Sequence, residues 1–86
     1  MKIIYTKHAL EKFKLLESRG WKLKKKDVNG TITNPKWLGT TKLGQFAAMS
    51  NLDTKYILRV VYDKIVKDIK VITFHPARKG RYETKI

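Results

Sequence analysis

The sequence predicts a small α+β domain in which helices pack on one face of a mainly antiparallel β-sheet. One amphipathic stretch at residues 7–19 has helical spacing, and runs at 56–62 and 69–75 are rich in β-branched and aromatic residues. A length of 86 residues leaves room for one domain over 1–86, and an apolar fraction of 42% is enough for a modest core.

The first half of the chain predicts a strand followed by a helix. Residues 2–5 are predicted to form a short first strand, and Thr6 supplies an N-cap side chain for a helix over 7–19. Gly20 is a natural residue to follow a helix end. The apolar stripe of this helix consists of Ala9, Leu10, Phe13 and Leu16.

A second helix over residues 23–33 is a weaker prediction. Leu23, Val28 and Ile32 form one apolar side, but Asn29-Gly30 and the β-branched residues that follow disfavour a long helix. Asn34-Pro35 ends the segment because the residue before proline avoids the α region.

The second half of the chain predicts strands. An edge strand or extended entry is expected at 36–39, and a strand at 45–50 precedes turn residues at 51–55. A strong strand at 56–62 is followed by a turn within 63–68 and a last strand at 69–75, which Pro76 is expected to end. Residues 77–83 read as a basic tail near the end of the sheet.

The charge of the chain points to a polyanionic partner. Lys and Arg number 20 against seven Asp and Glu, which gives a formal net charge of +13. Such a charge is costly through self-repulsion unless a polyanion binds, and nucleic acid is the usual one. A lysine-rich thermophile surface or an acidic protein partner remains an alternative.

The composition also excludes several classes. The absence of cysteine excludes disulfide scaffolds, zinc ribbons and thiol enzymes. No apolar run approaches a membrane span, and only a three-residue apolar run precedes Lys7-His8, so no signal-peptide core is visible. We expect a soluble cytoplasmic protein that does not associate with membranes.

The residues available for catalysis favour RNA cleavage without a metal. The acids are scattered, and His8 and His75 are the two histidines, so neither a two-metal centre nor another metal or cofactor site is predicted. RNA carries its own nucleophile, the 2′-hydroxyl, and the enzyme must move two protons and stabilise a phosphorane. His, Arg and Tyr suit those tasks.

Arg59 is the strongest single candidate for a functional residue. It is the charged residue within the apolar and aromatic run 56–62, and it shares a strand face with Ile57 and Val61. It is either a phosphate-binding arginine on the open sheet face or a solvated arginine whose stem covers the edge of the core.

The C-terminal segment supplies a second group of candidates. Arg78 or Arg81 could bind phosphate and Tyr82 could stack on a base or move a proton, with Lys79 adding to RNA binding. The alternative is a basic chain end without a fixed role.

The histidines and the N-terminal lysines complete the set. His75 is a candidate general acid or base, or else a hydrogen-bonded residue at a strand end. His8 is the weaker candidate, since a histidine in a first helical turn is more often structural. Lys24, Lys25 and Lys26 either contact RNA or form a solvated face, and both tryptophans are expected to pack rather than to stack on bases.

Short motifs in a particular order resemble a known group. The chain is similar to small domains of the RelE/ParE superfamily of toxins, which includes the BrnT-type toxins. The resemblance rests on Tyr5-Thr6-Lys7-His8-Ala9, Glu17-Ser18-Arg19-Gly20, Asn34-Pro35, Leu58-Arg59-Val60-Val61-Tyr62 and Val71-Ile72-Thr73-Phe74.

The resemblance implies a RelE-like fold and the toxin role of a type II toxin–antitoxin pair. RelE-type toxins cleave mRNA on the ribosome without a metal, whereas ParE-like members poison gyrase. By position, Arg59 matches the family's central-strand arginine, Arg78 or Arg81 its last-strand arginine, Tyr82 its C-terminal tyrosine and His8 its helix-1 histidine. An acidic antitoxin is the implied partner. The alternatives are a non-catalytic RNA- or DNA-binding module and a ParE-like gyrase poison.

Overall fold

A computed structural model describes residues 2–80 and places two helices on one five-stranded mixed sheet. The strand order is β1-β5-β4-β3-β2; β1 pairs with β5 in parallel and every other pairing is antiparallel. The predicted α+β class is confirmed. The elements are β1 (Ile3–Tyr5), α1 (Lys7–Glu17), α2 (Lys25–Thr33), β2 (Trp37–Thr40), β3 (Phe46–Asn51), β4 (Tyr56–Ile65) and β5 (Asp68–Arg78).

Helix α1 begins where its sequence predicts and ends at Glu17, two residues before the predicted end at residue 19. The Thr6 hydroxyl accepts the N–H of Ala9 at 3.1 Å, and Thr6 also donates to the carbonyl of Ile72, which ties the cap to β5. Gly20 has φ +92° and follows the helix end, where a residue with Cβ would be strained.

Helix α2 forms despite its unfavourable composition because tertiary contacts stabilise it. The Asp27 carboxylate accepts the Lys24 N–H at 2.8 Å, which satisfies a donor at the start of the helix. Val28 and Ile32 are buried against the sheet, and the Thr31 hydroxyl bonds Ser50 of β3 at 2.6 Å. Burial of this face outweighs the cost of Gly30 within the helix.

The main core lies between the helices and the sheet. Helix α1 covers β1 and β5, and α2 covers β3 and β4. The Phe13 and Phe74 rings lie 4.6 Å apart and join α1 to β5, while Trp21 meets Tyr56 edge to face at 4.9 Å. Trp21 and Trp37 are half-buried packing residues, Trp21 on this core and Trp37 on the opposite side of the sheet.

Pro76 does not end the last strand. It pairs with Leu58, and β5 continues to Arg78. The Lys79 N–H donates to the Lys55 carbonyl, so the alternation of an antiparallel ladder makes Leu58 and Pro76 a non-hydrogen-bonded pair. The missing N–H of proline therefore costs no bond to β4. On the other side β1 reaches only Val71, so no bond to β1 is lost either.

The turn predicted over 63–68 is shorter than expected. Strand β4 continues to Ile65 and β5 starts at Asp68, so Val66 and Lys67 alone form the turn. Val66 has φ +54°, and no other non-glycine residue in 2–80 has a positive φ. A positive φ at the first central position is typical of a type II′ turn, where glycine is preferred over a β-branched residue.

We expect Val66→Gly to raise the free energy of unfolding by about 1 kcal/mol, because glycine relieves the left-handed strain at some entropic cost. Urea denaturation of both proteins measures the change. Lys67→Gly is the control, since Lys67 lacks a positive φ and glycine there gains nothing. Equal destabilisation by the two glycine substitutions would contradict the inference that the backbone at Val66 is strained.

Burial raises the pKa of Tyr5 from its ordinary value of 10.0 to about 12. The folded-state pKa thus exceeds the unfolded one, so this contribution to stability is complete below pH 10 and is lost as the pH rises toward 12. We expect the free energy of unfolding to fall less steeply across this alkaline range in Tyr5→Phe than in the wild type. Urea denaturation at a series of pH values measures this free energy. The same pH dependence in both proteins would contradict the raised pKa of Tyr5.

Candidate functional site

The face of the sheet opposite the helices carries the candidate site. Along β4, Leu58, Val60 and Tyr62 belong to the helix-side core, so the alternating residues Ile57, Arg59, Val61 and Asp63 lie on the other face. Ile57 there forms a second small apolar cluster with Met49 and Ala77, on which Trp37 packs. This confirms the expected placement of Arg59 beside Ile57 and Val61.

Arg59 and His75 are direct neighbours on this face. They are cross-strand partners in the pairing of β4 with β5, and Arg59 also pairs with Met49 of β3. The Lys55–Lys79 hydrogen bond makes Arg59 and His75 a hydrogen-bonded pair, with their Cα atoms about 5.5 Å apart. A row across four strands therefore runs Trp37, Met49, Arg59, His75.

The surroundings of Arg59 favour anion binding. The residue is half-buried and its Nε atom is shielded from solvent. Its neighbours on the same strand face, Ile57 and Val61, are at most 5% exposed. A guanidinium that rises from an apolar surface attracts anions more strongly than one fully in water, because the local dielectric is lower. Its fork geometry matches two oxygens of one phosphate.

His8 lies at the edge of this face. Beyond Val71, β1 no longer covers β5, and α1 starts there because Thr6 bonds the backbone of β5. The His8 Nε2 atom is 3.3 Å from the Thr73 hydroxyl. Thr73 is two residues from His75 on β5, so their Cα atoms are about 7 Å apart and on the same side of the strand.

Thr73 is a polar neighbour that the sequence reasoning missed. The sequence pattern could have indicated it, because Thr73 and His75 are two residues apart in a predicted strand and therefore share a strand face. An open groove of about 280 Å³, lined by His8, Glu11, Lys12 and Leu15, continues from this edge along α1.

Arg78 is not brought together with Arg59. It stands three residues after His75, an odd number, and therefore on the helix side of the sheet. Its guanidinium lies 6.0 Å from the ring centre of Tyr56, which in turn packs on Trp21. One phosphate on the open face cannot be held by both arginines, because the sheet separates them.

The remaining candidates are distributed elsewhere. Lys24, Lys25 and Lys26 are exposed at the start of α2, where Lys25 Nζ lies 5.4 Å from the centre of the Tyr5 ring. Lys79 is exposed just beyond β5. Arg81 and Tyr82 lie outside the described residues.

The helix-side tyrosines are structural. The Tyr5 hydroxyl donates to Asn29 of α2, and burial raises the pKa of both Tyr5 and Tyr62. These phenols stay protonated at neutral pH.

Within residues 2–80, no three His, Asp or Glu side chains come together to hold a metal ion. Neither described helix is long and apolar enough to cross a membrane. Comparisons of this chain with protein-family models, curated proteins and solved structures found no match.

Proposed function

We propose that this protein is the toxin of a type II toxin–antitoxin pair, with a RelE-like fold, and that it cleaves mRNA without a metal, on the ribosome or free. The observation that carries the proposal is the direct pairing of Arg59 with His75 on the sheet face away from the helices. The order of short sequence motifs and the net charge of +13 support it.

The chemistry assigns a task to each residue of the site. Arg59 holds the scissile phosphate and stabilises the negative charge that develops on the phosphorane. The 2′-oxygen forms a bond to phosphorus, the bond from phosphorus to the 5′-oxygen breaks, and a 2′,3′-cyclic phosphate and a 5′-hydroxyl result. One proton leaves the 2′-hydroxyl and another joins the 5′-oxygen.

The histidines are suited to those two proton transfers. His75 stands beside Arg59, and His8 contacts Thr73 at the edge of the same face. An imidazole exchanges protons near neutral pH, so one histidine acts as base and the other as acid. Thr73 is a positioning residue for His8, since its hydroxyl can orient the ring.

Regulation follows from the charge of the surface. An acidic antitoxin that lays a helix or a strand on the sheet would cover Arg59 and neutralise part of the lysine excess. The affinity of such a complex should fall with salt, since exposed charges are screened.

A non-catalytic RNA- or DNA-binding module is the second candidate. The three exposed lysines at the start of α2 favour it, because they can contact phosphates without any contribution from the Arg59 face. Under this alternative, removal of any one lysine weakens binding about evenly and lowers the salt dependence.

The test is induced expression in a bacterial host, with growth and the 5′ ends of mRNA followed for wild type and Arg59→Ala. We expect growth arrest and new 5′ ends for the wild type, and loss of both in Arg59→Ala. Arg19→Ala, an exposed arginine beyond the end of α1, is the matched control and should behave as wild type. Normal growth and unchanged mRNA at good wild-type expression would contradict the proposal.

Purified protein tests the assignment of the histidines. We expect His75→Asn to lower the cleavage rate by at least about 100-fold, in the range of general acid–base catalysis, while RNA affinity changes little. Cleavage by the wild type should persist in EDTA. A His75→Asn protein with the wild-type rate would remove His75 from the mechanism.

A further inference from the structure

The two most exposed large apolar side chains in residues 2–80 lie at one end of the sheet. Leu43 is 85% exposed in the turn between β2 and β3, and Val66 is 98% exposed in the turn between β4 and β5; no other large apolar side chain there exceeds 45%. We call this end, made of residues 41–45 and 64–70 with the starts of β1 and α2, the hairpin end.

The register places the two turns side by side. Phe46 pairs with Tyr62, Leu43 precedes Phe46 by three residues, and Val66 follows Tyr62 by four. The turns join neighbouring strand pairs, so their centres are two strand spacings apart, or about 10 Å. Leu43 and Val66 thus project from the same end at similar height.

Lysines surround these two side chains. The Tyr5 hydroxyl lies 3.4 Å from the Lys25 carbonyl, and Tyr5 pairs with Val71, so the start of α2 lies next to the hairpin end. Of the acids there, Asp27 and Asp68 already accept backbone N–H groups, from Lys24 and Lys2. The exposed lysines at this end are Lys2, Lys24, Lys25, Lys26, Lys42, Lys64, Lys67 and Lys70.

We propose that the hairpin end is a nucleic-acid-binding surface on which Leu43 and Val66 insert against bases while the lysines neutralise phosphates. Apolar side chains are used in this way to unstack base steps, and lysines provide the salt-dependent attraction. The proposal rests on the nucleic-acid binding of the proposed function but not on cleavage.

The strain at Val66 strengthens the assignment. The chain keeps a β-branched, fully exposed residue at φ +54°, where Gly or Asn would be more stable. Strained backbone that contributes nothing to packing is found where a side chain is needed for contact. The half-buried Phe46 ring adds an aromatic face beside the two exposed side chains, Leu43 and Val66, which we call the tips. Lys64 Nζ lies 5.0 Å from the centre of that ring.

An anionic lipid surface is the less favourable partner. Membrane-surface sites favour tryptophan at the contact. Both tryptophans instead lie toward the opposite end of the sheet, since Trp37 starts β2 and Trp21 packs on Tyr56 at the start of β4.

The test compares RNA binding by two double variants. Leu43→Gln/Val66→Asn removes both tips, and asparagine tolerates a positive φ, so stability should not fall. Leu10→Gln/Leu38→Gln, two leucines 45% exposed elsewhere, is the matched control. The probe is a fully 2′-O-methylated single-stranded RNA of about 20 nucleotides, which cannot be cleaved and carries fluorescein and an internal 2-aminopurine.

We expect the tip variant to bind about tenfold more weakly with an unchanged salt slope, because no cation is removed. The wild type and the control should raise 2-aminopurine fluorescence, as unstacking does, and the tip variant should not. Equal affinity and fluorescence in all three proteins would overturn the inference while leaving the proposed function intact.

Other outcomes separate the two proposals. A wild type that binds no RNA would overturn both the inference and the proposed function. Retention of RNA affinity by the tip variant, with loss of binding to phosphatidylglycerol vesicles, would assign the tips to lipid instead. Loss of cleavage in Arg59→Ala with full binding of the methylated probe would support the proposed function whatever the tips do.

Discussion

The pairing of β4 with β5 is the constraint on which the rest of the molecule depends. These are the two longest strands, and they pair from Tyr56–Arg78 to Ile65–Asp68 with one shift of register, between Val61 and Tyr62. That register sets Arg59 against His75. A shift of one residue would move Arg59 into the apolar layer under the helices, where its charge could not be solvated.

The candidate site and the lysine-rich surface lie on different parts of the sheet. The face away from the helices holds Arg59 and His75 above a small apolar cluster. The hairpin end gathers lysines and two exposed apolar tips. Under the proposed function, reaction and affinity are therefore open to separate alteration, since Arg59 and His75 of the candidate site are not the lysines that supply most of the electrostatic attraction.

Local rules predicted the elements that depend on neighbouring residues. The N-cap at Thr6, the helix that follows it and the strand character of 56–62 are all set by interactions within a few residues. The same rules failed at Pro76 and at the turn over 63–68. In both cases the deciding fact is how β4 and β5 pair, because a proline is tolerated only where the ladder needs no N–H from it.

By itself the sequence determined the α+β class, the net charge of +13 and the candidacy of Arg59, since composition and alternation are local properties of the chain. Only the tertiary structure decided which candidates meet. The alternation of residues along the paired strands puts His75 beside Arg59 and places Arg78 on the helix side of the sheet. The capping of α1 against β5 brings His8 to Thr73. Those contacts join residues as many as 66 positions apart, and no local pattern encodes a register between distant strands.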